Sequence, residues 1–251
     1  QSIFNQKNST NFKCIVACND IPELFKEYDE RLEFIKMDLP VPTEWIEMAR
    51  DKFWKLTKIA VRCRQLLEEQ EEPENGIYVM PVDADDLLSN KIAEYCETHP
   101  DENGFVSSDG YDKYDDENKL HVYKNLHTFC GSCNIIKMYR EDLPEKMPYS
   151  DEFCHDKEIA GILNKKYPIR YDHNVVVDRY DSMGKTFAKL PFRSTIYCLG
   201  NGDNISSIYH STYSQVDNRR FHSIALVRNI LEIRCWRRIS RRIQIEFSIK
   251  E

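Results

Sequence analysis

The sequence predicts an α/β fold: a single domain with a mostly parallel central sheet flanked by helices. Three observations lead there. Strand-like and helix-like segments alternate from residue 12 to residue 100, the pattern of a sheet with helices on its faces. The strand candidates in that stretch are short and apolar, as buried strands are. Three acids within four positions, Asp83, Asp85 and Asp86, follow one such run just before a helical pattern begins. In open α/β sheets, ligands bind beyond the carboxyl ends of the strands.

The elements can be justified in order. FKCIVAC at 12–18 is apolar and ends in an Asn19-Asp20-Ile21-Pro22 turn, which predicts a strand. IPELFKEYDERLEFI suits a short helix or an irregular connection, and IKMDLPVP a strand end and loop. Thr43 is placed to cap a helix, with Glu44 and Glu47 in its first turns. Phe53, Leu56, Ala60, Cys63 and Leu67 step by three and four residues, so this helix is expected to reach about residue 70. The acidic loop EEQEEPEN leads to the strand GIYVMPVD. Ser89 is the expected cap of a second helix with inner face Ile92, Tyr95 and Cys96, stopped by His99-Pro100.

Further on, GFVSSDGYDKYDDENKLHVYKN reads as a strand pair around an acidic turn at 115–118. Residues 152–164 suit a helix, and NVVVDRY and STIYCL suit strands. From Phe221, apolar residues at 224, 227, 231, 235 and 239 keep helical spacing to about 240. Positions 243, 245, 247 and 249 then alternate like an edge strand. The division expected is a body at 1–217 and a helical basic extension at 218–251.

Composition narrows the function. At 251 residues, with 41% hydrophobic and 31% charged, the chain can build a core without staples. No apolar run approaches the ~20 residues of a membrane helix. The opening SIFNQKNSTNF is polar, so no secretory leader is expected in it. Nine cysteines, an odd number, lie scattered in apolar segments, which predicts buried free thiols in a reducing compartment and a cytoplasmic location. Net charge is −7, but residues 218–251 hold nine Lys or Arg against three Glu, a balance of +6 that leaves −13 on the rest. An acidic body argues against nucleic acid as a partner. WRRISRR in the basic tail suits peripheral contact with an anionic membrane at its inner face, or packing on the acidic body or a second subunit.

The acid cluster carries the chemistry. Crowded carboxylates repel and raise one another's pKa unless a cation neutralises them. Mg²⁺ and Mn²⁺ bind through one or two carboxylates plus substrate phosphates, so Asp83 and Asp85 are candidate metal ligands. Helix-start acids are the structural alternative for Asp85 and Asp86. Cys130-Gly-Ser-Cys133 suggests two thiols flanking a glycine in a tight loop, since zinc would need a second pair and only Cys154-His155 is on offer. DGYDKYDDENK lacks EF-hand spacing, and P-loop, GxGxxG and GxSxG motifs are absent.

YVMPVDADDLL closely resembles the Asp-x-Asp motif of nucleotide-sugar-dependent glycosyltransferases of the GT-A fold, family 2 type. The helix with Asp51, Lys52, Lys55 and Lys58 resembles the Lys-bearing helix upstream of that motif. FCGSCNII resembles the acceptor-side segment, EFCHDKEIAGIL the region of the catalytic acid, and LPFRSTIYCLGNGDNIS a closing strand and loop. The resemblance covers residues 12 to about 207. It implies a GT-A-like domain and a metal-dependent, inverting transferase that moves a sugar from a nucleotide sugar, a UDP-sugar first, to a glycan, lipid-linked or protein acceptor. It further implies Mn²⁺ or Mg²⁺ at Asp83 and Asp85. Donor contacts fall to Asn19, Asp20, Lys52, Lys55, Asp83 and Asp86. The base is Asp156, with His155 next and Glu158 third.

Two departures stand out. The family's opening strand, with its nucleotide loop, has no counterpart, and FKCIVACND matches the second strand. The closing loop also lacks the His that many relatives use as a metal ligand, with Asp203 and Asn201 as substitutes. A non-catalytic relative that binds a glycan or partner, and a sugar nucleotidylyltransferase, are the alternatives.

Overall fold

A computed structural model describes residues 2–22, 29–114, 119–128, 130–147, 149–159, 183–199 and 236–249. The fold is mixed α/β. Strand β1 (Cys14–Cys18) pairs in parallel with β2 (Leu32–Lys36), Cys14 opposite Leu32. Helix α1 (Trp45–Glu68) follows, then β3 (Ile77–Val79), β4 (Leu87–Leu88), helix α2 (Ile92–Thr98) and β5 (Gly104–Val106). β6 (Gly110–Tyr114) and β7 (Lys119–Tyr123) form a hairpin. β8 (Asn134–Met138), β9 (Ala188–Lys189), β10 (Thr195–Leu199), β11 (Trp236–Arg238) and helix α3 (Arg241–Phe247) complete the order. Beyond β1–β2, one sheet runs β3-β8-β5-β9 and another β11-β7-β6-β10-β4.

The mostly parallel central sheet expected from the sequence is corrected here. Among the described residues three strand pairs are parallel and five are antiparallel. The main reason is β8, which runs antiparallel between β3 and β5. Its sequence NIIKM follows the short Gly131–Cys133 turn, so the chain reverses without a crossover helix. β2 is likewise a strand from Leu32, where the sequence suited a short helix or an irregular connection with a strand end only from Ile35, because pairing along β1 satisfies its backbone.

α1 is the organising helix. Glu47 accepts the N–H and Oγ1–H of Thr43 at 2.7 and 2.8 Å and caps the start one residue later than expected, with Glu44 at the N-cap. Its apolar stripe is as predicted: Ala60, Cys63 and Leu67 are buried with Ile136, Met138 and Leu143, flanked by Ile15, Leu56, Ile59, Ile77 and Val79. Each such large side chain contributes about 1.5–3 kcal/mol. α2 buries Ile92 and Cys96 as expected, but Ser89 does not cap it. Ser89 is fully buried and donates to Glu246 Oε1 at 2.8 Å.

The tail reverses expectation. Where the expected helical run ends, residues 236–238 form strand β11 on β7, the rest of that run (221–235) lying outside the described residues, and the alternation at 243–249 gives way to helix α3. Ser240 caps α3, its Oγ accepting from Ile243 N–H at 3.4 Å. Ile239, Ile243 and buried Phe247, four apart, pack on Leu120 and Ile196, which favours a helix over the alternation. The candidate strand NVVVDRY, the expected helix beyond residue 159 and Asn201 and Asp203 lie outside the described residues. No helix among the described residues is long and apolar enough to cross a membrane.

Gly76 opens β3 at φ +70°, and a Cβ there would lie 2.8 Å from the Met138 carbonyl oxygen. Gly76→Ala is expected to cost about 1–3 kcal/mol in urea unfolding. An unchanged midpoint would mean that β3 and β8 yield at this end.

Candidate functional site

The acids form a turn at the seam between two sheets. Met80 and Val82 pack into the core with Leu88, Ile92 and Phe105, which fixes the chain on arrival. Asp86 N–H then donates to the Asp83 carbonyl at 3.1 Å, closing the turn before β4. The three acids are unlike. Asp83 is half-buried and pairs with Lys52 Nζ at 2.6 Å. Its N–H donates to Ser132 Oγ at 2.9 Å. Asp85 is half-buried. Asp86 is only 5% exposed. It accepts from Cys130 Sγ at 3.2 Å and from Cys198 N–H at 3.3 Å. Burial, reinforced by the neighbouring Asp83 and Asp85 charges, raises its pKa to about 6 against the opposing hydrogen bonds of Ser132 and Cys130.

The first half of α1 gathers the other candidates. Lys52 reaches the acid turn. Lys55 pairs with Asp51 at 2.7 Å rather than pointing at the acids. Lys58 is half-buried further along. Arg50 donates to the His155 carbonyl, and His155 Nδ1 lies 3.9 Å from Glu47. Trp54 Nε1 donates to Asp151 at 2.9 Å. Burial, with help from Asp51 and Asp151, pushes the Cys154 thiol up to about 11. Arg50 and Lys52 are two positions apart, about 200° around α1, so the His155 contact and the Asp83 contact leave the helix on different faces.

Other expected residues have structural occupations. Asn19 ties the end of β1 to the loop after β2, its Nδ2 donating to the Leu39 carbonyl at 3.0 Å. Asp20 is exposed. Asp156 is exposed and caps a helical turn, its Oδ1 accepting from Glu158 N–H at 2.9 Å and Ile159 N–H at 3.0 Å. The structure therefore joins Lys52 to the acids and the 154–156 turn to α1, and leaves Asn19 and Lys55 in local pairs. Sequence reasoning missed Ser132, which links Asp83 to Asp86, and the Cys198 amide. Ser132 lies between the two cysteines of a motif read for its thiols.

The eight described cysteines are free thiols. Cys130 and Cys133 pack with Leu126, and hydrogen bonding between the two thiols, with burial, raises the Cys130 pKa. A buried thiol so raised is a poor nucleophile. Among the described residues no group of three or more His, Cys, Asp or Glu side chains is placed to hold a metal ion. Asp83 and Asp85 lie on one turn, and a hard divalent cation there would need its remaining ligands from phosphate and water. Lys52 is the competitor for Asp83.

Compared with known protein families and with curated proteins, the chain matches no family model and no curated protein.

Proposed function

We propose that the chain is a metal-dependent glycosyltransferase of GT-A type that moves a sugar from a nucleotide sugar to an acceptor hydroxyl with inversion. The observation that carries the reading is the crowding of Asp83, Asp85 and buried Asp86 at a strand end, with Lys52 aimed at them from α1. Asp83 and Asp85 would hold Mn²⁺ or Mg²⁺. When bound, the cation offsets the charge that develops on the departing nucleoside diphosphate. Lys52 trades its carboxylate for a phosphate oxygen, while Asp86 and Ser132 hold the turn in place. Asp156 is the base: two backbone N–H groups orient its Oδ1, and Oδ2 takes the proton from the acceptor. His155, whose buried Nε2 has no hydrogen-bond partner among the described residues, is the next candidate.

A second reading has its own support. Lys52 already compensates Asp83, and Asp156 has a capping role, which suits a non-catalytic relative. Thermal melting with UDP, GDP and CMP, with and without Mn²⁺, separates the two. A nucleoside diphosphate is expected to raise the melting temperature only with metal, and Asp85→Ala to abolish that rise. Asp156→Asn should keep the rise and lose turnover. Silence to every nucleotide would leave the binding-protein reading; a rise that survives Asp85→Ala would move the site elsewhere.

A further inference from the structure

A second site lies apart from the acid turn. An open cavity of about 400 Å³ is walled by Lys7, Lys91, Arg241, Arg242, Ile245 and Glu246. Four cations meet one carboxylate there, a local excess of +3 in a chain whose formal charge is −7. That carboxylate is already committed: Glu246 Oε1 receives Lys91 Nζ at 2.8 Å and the Ser89 hydroxyl at 2.8 Å. No ion pair engages Lys7, Arg241 or Arg242 among the described residues.

The walls come from three distant segments that are fastened together. Lys7 N–H donates to the Asn90 carbonyl at 2.8 Å, and Asn90 N–H to the Glu246 carbonyl at 3.0 Å. Asn5 Nδ2 donates to the Ile245 carbonyl at 3.0 Å, Gln6 Nε2 to the Ser89 carbonyl at 3.1 Å, and Ala93 N–H to Gln6 Oε1 at 3.0 Å. Beneath them Phe247 is buried. The cations are thus held around one volume by a built frame and not scattered along a tail. Holding like charges together costs electrostatic energy, which an anion would return.

We infer that this cavity binds a ligand carrying two or more phosphate groups. A single carboxylate would leave most of the charge uncompensated, whereas adjacent phosphates match guanidinium forks and ammonium groups together. The volume falls in the range of small-ligand sites. Two sources supply this chemistry: a soluble polyphosphorylated molecule, or the headgroup of a multiply phosphorylated lipid, for which exposed Ile245 on the wall offers an apolar contact.

The test uses the full chain with a chelator present, so that the acid turn is silent. The probes are inositol hexakisphosphate, and phosphatidylcholine vesicles with and without phosphatidylinositol bisphosphate. Binding of either probe is expected, with roughly tenfold or greater loss in the double variant Arg241→Glu/Arg242→Glu, while in separate melts with Mn²⁺ and no chelator the variant and the parent respond alike to nucleotides. Binding to the soluble probe alone assigns a soluble ligand; binding to the vesicles alone assigns the lipid. Both residues are exposed, so the variant should fold, and an unshifted melting temperature checks this. Lys91→Ala gives a second reading of the same wall. No binding to either probe overturns the inference. So does equal binding to phosphatidylserine vesicles of matched charge, which would mean diffuse attraction without a pocket.

Discussion

Replacing Trp54 with alanine is expected to lower the unfolding free energy by about 4 kcal/mol. Trp54 is fully buried among Met37, Leu39 and Cys154, with Ala17, Ile35 and Phe53 packed around them. No other side chain of that cluster is as large, and α1, β1 and the loop after β2 cannot collapse into the space at once. The indole also donates to Asp151 at 2.9 Å. Losing a hydrogen bond to a charged acceptor adds roughly 1–3 kcal/mol when the partner stays partly buried. Urea unfolding of Trp54→Ala and Trp54→Phe separates the parts, because phenylalanine keeps most of the packing and removes the donor. A loss below about 1 kcal/mol for alanine would mean that this cluster is not close-packed. The effect should also reach function: Asp151 begins the segment bearing His155 and Asp156, so amide exchange there is expected to quicken in both variants.

Asp86→Asn is expected to stabilise the protein above pH 7. In the folded state burial holds the Asp86 pKa near 6, against about 3.9 in the unfolded chain. The folded state therefore keeps a proton that the unfolded state releases between about pH 4 and pH 6. Stability from this group is complete below pH 4 and is lost as pH rises through 6. Above that, the ionised carboxylate leaves a deficit of about 2–3 kcal/mol. An amide of the same shape avoids it, and its oxygen can still accept the Cys198 N–H. With a chelator present, urea unfolding at pH 4.5, 6 and 7.5 should show the variant gaining on the parent as pH rises. Parallel profiles would mean that Asp86 is not desolvated as its burial indicates.

What was legible in the sequence was local. The stripe from Leu56 to Leu67 identified α1, and the run CIVAC identified β1, because each satisfies a single period over its length. The hairpin of β6 and β7 showed itself through its turn composition. β2 and β8 did not, because their identity as strands depends on neighbours: LEFIK has no strict alternation, and NIIKM is settled by β3 and β5 on either side. The tail failed for another reason. Ile243 to Ile249 satisfies period two and, through Ile239, Ile243 and Phe247, period four, and only the Ser240 cap separates them. At the candidate site, the acids and Lys52 could be read as a set because strand, turn and helix each have signatures. Ser132 and the Cys198 amide, from segments about 50 and 110 residues away, left none.

The helix that lies over both β1 and the β3–β8 pair has one more consequence. Ile15 from one layer and Ile77 and Val79 from the other press on the same stripe of α1, so the two layers cannot swing as separate bodies without tearing a shared interior. A hinge of the kind that closes over ligands in two-lobed proteins is denied to this part of the molecule. The Lys52 ammonium that meets Asp83 is carried on that same helix.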